Sequence, residues 1–80
     1  MSQEYKIEWQ TPKNYEPWDV LQTLPSPISK EMTEIYNYSV EDDGFYFLDN
    51  LIDQTVAALA MKLFIDEALK HVDKVNIRKL

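Results

Sequence analysis

The 80-residue chain has no cysteine, one glycine (Gly44) and one histidine (His71). Without cysteine there is neither a disulfide nor a thiolate metal site, the two staples on which small domains most often rely. A single glycine cannot build a glycine-rich phosphate cradle. Ser2, Ser26, Ser29 and Ser39 lie in a terminus, caps or a strand, with no glycine elbow to present a nucleophile. No apolar run approaches the roughly 20 residues of a membrane span. The opening "MSQEYKIEWQ" lacks the basic-then-apolar profile of a signal peptide. The expectation is a cytoplasmic protein with no membrane partner.

Positive charge is also scarce. The net charge is −6, and residues 1–50 hold ten acidic and three basic side chains, a balance of −7. Residues 51–80 hold four acidic and five basic ones, a balance of +1. Such a surface repels phosphate and speaks against nucleic-acid binding, while it attracts a basic protein surface.

The chain does carry alternating and helical apolar patterns. In "EYKIEWQ" (4–10), Tyr5, Ile7 and Trp9 point one way and Glu4, Lys6, Glu8 and Gln10 the other, the period of a strand with one buried face. Pro17 suits the first turn of a short helix near 17–24, followed by Trp18, Leu21 and Leu24 and stopped by "PSP". Residues 28–34 fit a helical turn or a strand, and the pattern then reads as a strand over about 33–40. A third strand follows near 45–48.

"EDDGFYFLDN" (41–50) is the stretch most like a functional motif. As an EF-hand loop with Gly44 at position six, it would begin with Ser39 and end with Asn50, where Asp and a bidentate Glu are required. As an aromatic RNA-binding strand it has Asp43 where a basic residue belongs. An Asp-Gly pair between aromatic runs is instead a strong hairpin signal. The spacing predicts a turn. Phe45 and Phe47 oppose Tyr46 and Leu48, so the following strand is apolar on both faces.

From 51 to 80 there is neither proline nor glycine, and the pattern predicts a long helix over about 51–74, capped by Asp49 or Asn50. One stripe, Ile52, Val56, Leu59 and Leu63, is expected to face the sheet. A second, rotated stripe contains Met61, Phe64, Ala68, Val72 and Val75, with Ile65 and Leu69 beside it. A helix apolar nearly all round is buried on more than one side. Either the short helix or another molecule covers the second side.

The predicted fold is therefore α+β: a small three-stranded, mostly antiparallel sheet packed by the long helix. Glu67 and His71, one helical turn apart, read as an exposed pair on a solvated face, with no further ligand at a metal-binding spacing. No catalytic, cofactor or metal residue is assigned. The expected function is non-enzymatic protein–protein interaction, as a homodimer or accessory subunit. The candidate interface comprises Tyr46 and Leu48 on the hairpin and Met61, Phe64, Ile65, Ala68 and Val72 on the helix. Two other readings are an acidic inhibitor imitating nucleic acid in a basic protein groove, and a metal- or carboxylate-dependent enzyme.

Overall fold

A computed structural model describes residues 2–80. It has strands β1 (Gln3–Glu8), β2 (Tyr36–Glu41), β3 (Gly44–Asp49) and β4 (Asn76–Lys79), and helices α1 (Trp18–Thr23) and α2 (Gln54–Leu69). The architecture is α+β. The strands form one antiparallel sheet in the order β2-β3-β1-β4, with α2 across one face. No helix among the described residues is long and apolar enough to cross a membrane.

The sheet has four strands where the sequence pattern predicts three. β4 lies beyond the predicted end of the helix, where no element is expected, and α2 ends at Leu69 instead of continuing to about residue 74. β1 pairs with β3 on one side and β4 on the other, so Tyr5–Glu8 are paired along both edges. Tyr5 and Ile7 point toward α2 together with Phe45 and Phe47, their register partners on β3.

The hairpin is present, with a different turn from the one expected. Asp42 and Asp43 form the two-residue loop, and Gly44 opens β3, opposite both Glu41 and Glu8. Glycine is required there by close approach: φ is +133°, and a Cβ would stand 2.0 Å from the Ile7 carbonyl oxygen. Residues 28–34 are neither helix nor strand. They form a tight loop closed by an Ile28–Glu34 bridge, with Met32 at φ +64°. The strand expected from Thr33 begins at Tyr36.

α2 starts later than expected, because Asp53 is its cap. The Asp53 carboxylate accepts from the Val56 backbone N–H at 3.1 Å. Asp49 and Asn50 act just before it: Asp49 accepts from the Leu51 N–H, and the Asn50 amide donates to the Glu34 carbonyl and carboxylate.

The face of α2 toward the sheet is also not the predicted stripe. Ala57, Ala60, Phe64 and Ala68 are buried, whereas Leu59 is 50% exposed. Three alanines bring the helix backbone close to the sheet. The space between is filled by Phe64, whose ring lies 4.8 Å from Phe45 and 5.1 Å from Tyr38. Leu59 would need a wider gap. Tyr36 stacks on Phe47 at 5.4 Å, and burial, aided by neighbouring Tyr38, pushes its phenol up to about 12. α1 packs on α2 with its Val20 buried, while Trp18 is 62% exposed and donates its indole N–H to Glu16.

Candidate interaction surface

Three regions carry chemistry beyond simple packing. The first is a polar knot beside the core. Trp9 follows β1, Tyr15 precedes α1, and Glu67 and His71 sit at the C-terminal end of α2. The Tyr15 hydroxyl donates to Glu67 Oε2 at 2.7 Å, and His71 Nε2 lies 3.1 Å from the same oxygen. Lys70 Nζ approaches Oε1 at 3.5 Å. Trp9 stacks on the His71 ring at 5.4 Å and meets Tyr15 edge-on at 5.2 Å.

Glu67 is only 7% exposed, so the expected solvated His–Glu pair is half core. Burial opposes ionisation of Glu67, but hydrogen bonds from Tyr15 and His71 and the nearby Lys70 charge outweigh it, leaving the carboxyl below its ordinary range. Burial and the hydrogen bond to Glu67 push the Tyr15 phenol up. Both carboxylate oxygens are thus engaged, and they face a shallow groove of about 450 Å³ shared with Trp18. No group of three or more His, Asp or Glu side chains converges to hold a metal ion among the described residues.

The second region lies on the outer face of the sheet. Lys6 is 7% exposed although no helix covers it. Its ammonium binds Glu41 and, at 2.6 Å, Asp43 at the hairpin. Burial works against the charged amine, but the two carboxylates more than compensate and raise its pKa, while the Lys6 bond holds Asp43 low. Tyr46 and Leu48 are half-buried on this face, and the Tyr46 hydroxyl donates to Glu4 at 2.7 Å.

The third region is the flank of α2 on the β1 side of the sheet. At 100° per residue, Met61, Ile65 and Leu69 form one line beside the buried stripe, and Val72 lies in the turn just past the end of the helix. Met61 borders a shallow groove with Tyr5 and Phe47, which fixes this line on the β1 side. Leu69 is 44% exposed, and the other three are half-buried. On the sheet floor Ile77 lies opposite Ile7, on the helix side, and is 45% exposed.

The two edges of the sheet differ. The Leu80 N–H bonds the Glu4 carbonyl at 2.9 Å, which sets the alternation of the β1–β4 ladder. Asn76 and Arg78 therefore bond to β1, and Ile77 and Lys79 turn their backbone N–H and C=O groups outward. At the opposite edge, the outward N–H of Tyr38 is covered by its neighbour's side chain, Asn37 Oδ1, at 2.8 Å. Among the described residues the outward backbone groups of Ile77 and Lys79 have no such cover.

The interface residues expected from sequence fall in three places. Tyr46 and Leu48 are on the outer sheet face. Met61, Ile65 and Val72 are together on the α2 flank. Phe64 and Ala68 are both fully buried against the sheet, which corrects their assignment to a second, outward stripe. Ile77 lies beyond the predicted helix in a stretch where no element is expected, and Tyr15 carries no spacing signal toward Glu67, 52 residues away. Comparison of the chain with protein-family models, curated proteins and solved structures gives no match.

Proposed function

We propose that the protein is a non-enzymatic interaction module that binds another protein surface through the α2 flank and the adjoining β4 edge. The observation that carries this reading is a half-exposed apolar line on α2 together with a strand edge whose outward backbone groups have no partner among the described residues. Apolar side chains offer area to bury, and outward backbone groups offer direction. The segment 51–80, which supplies α2 and β4, carries a balance of +1, so it adds no large charge of one sign against a partner. Nucleic-acid mimicry has less support, because two of the hairpin's three carboxylates are tied to Lys6. An enzymatic role has less support still, since the one buried carboxylate is engaged at both oxygens by its own chain.

The experiment is hydrogen–deuterium exchange on wild-type complexes, whether self-associated or captured from the host, beside a Leu69→Lys variant. Protection is expected over residues 61–72 and 76–79, with loss of the complexes in the variant. Complexes that survive Leu69→Lys unchanged, with protection elsewhere, would remove this reading.

A further inference from the structure

Resting on that reading, we infer that the occupant of the β4 edge is a second copy of the same chain. The two β4 strands pair antiparallel about a two-fold axis through Ile77 and join the sheets into one of eight strands. The pairing geometry selects this arrangement. Ile77 and Lys79 point their backbone groups outward, so a two-fold centred on Ile77 lets the two Ile77 residues exchange both N–H···O=C bonds. Both α2 helices then lie on the same side of the joined sheet.

The side chains agree with this register on both faces. Toward the helices, Val40, Phe45, Ile7 and Ile77 form one cross-strand row. The two-fold continues it with the same four residues in reverse, so the apolar row crosses the seam unbroken. On the outer face, Lys6 and Arg78 end one row at the β4 edge, while Glu41, Gly44, Glu8 and Asn76 end the next. In the Ile77 register Arg78 faces Asn76 of the second copy, with that copy's Glu8 immediately behind. The positive half of each row meets the negative half of its counterpart. A shift that preserves the hydrogen bonding does worse: a two-fold at Arg78 sets Arg78 against Arg78, and one at Asn76 sets Lys74 against Arg78. Like charges directly opposite are disfavoured.

A four-residue seam is small, below the roughly 1,200 Å² of a tight complex, so dimerisation is expected at tens to hundreds of micromolar. The test is sedimentation equilibrium from about 10 µM to about 1 mM on the wild type and on Ile77→Lys and Ile77→Glu. Ile77 is 45% exposed in one copy, so both variants are expected to keep the wild-type circular dichroism. Each variant alone places like charges on the axis and is expected to dimerise on the order of a hundredfold more weakly. Mixing the two variants should restore a heterodimer, because opposite charges then face each other on the axis.

Variants that dimerise like the wild type, or a mixture that stays monomeric, would overturn the inference. A wild type that is monomeric throughout would overturn it as well. Protection of the flank in complexes with a different protein would then leave the interaction reading standing, which separates the two failures.

Discussion

The Tyr15 hydroxyl and the Glu67 carboxylate meet at 2.7 Å across 52 residues of chain, tying the segment before α1 to the last turn of α2. Because the folded pKa of Glu67 lies below its ordinary 4.5, the folded protein binds fewer protons than the unfolded chain in acid. The resulting stability is complete well above pH 4.5 and is lost as pH falls through the folded value. Urea unfolding of the wild type should weaken more steeply between about pH 6 and about pH 3 than that of Glu67→Gln. At neutral pH the variant should be less stable by about 2 kcal/mol. Parallel pH profiles for the two proteins would show that Glu67 does not act this way.

Phe64 fills the gap that three alanines leave between helix and sheet. Phe64→Ala should cost about 3–5 kcal/mol, whereas Leu59→Ala should cost less than about 1 kcal/mol because Leu59 is half exposed. Chemical denaturation of the pair measures both. Equal losses would mean that Leu59 also packs inside.

Gly44 stands where any side chain meets the Ile7 carbonyl. Gly44→Ala should destabilise by roughly 3 kcal/mol or more, combining a disfavoured φ with the clash. Thermal unfolding followed by circular dichroism reads the effect. A shift of only a degree or two would show that β3 moves away at little cost.

Lys6 offers the opposite expectation. Its amine is buried, but Glu41 and Asp43 are exposed and are hydrated readily once released. Lys6→Met keeps the buried stem and removes the need to desolvate a charge, so stability at neutral pH should change by less than about 1 kcal/mol. A loss of several kcal/mol on urea unfolding would show that the ion pairs themselves hold the hairpin to β1.

The strand alternation of β1 and the hairpin is plain in the sequence because each has one face against the core. Tyr5 and Ile7, then Phe45 and Phe47, mark that face residue by residue. α2 is visible as a helix, but its inward face is not, because alanines that permit close approach carry less hydrophobic weight than Leu59 and Leu63. β4 is hidden for a different reason. Four residues with one inward isoleucine and an inward lysine show almost no alternation, and no proline or glycine marks the end of α2. β-branched Val72, Val75 and Ile77 are the only local sign that the helix gives way. Of the flank, sequence supplied Met61, Ile65 and Val72, but only the strand pairing supplied Ile77. The Glu67 knot needed Tyr15, which tertiary contact alone brings within reach.

The pairing of β1 with β4 has a kinetic consequence. Asn76 and Arg78 reach Glu8 across 68 and 70 residues, whereas β2 and β3 close across a two-residue loop. Closing the longer loop costs more chain entropy, so the hairpin is expected to form early and β4 to dock last. Until it docks, β1 is itself a bare edge, with the backbone groups of Lys6 and Glu8 unpaired. During synthesis that edge stays open until residues 76–79 have emerged from the ribosome. Weakening β4 should therefore speed unfolding more than it slows folding, a partition that stopped-flow measurements on Arg78→Ala would reveal. Its cellular expression would be aggregation during synthesis, even with the finished fold still stable.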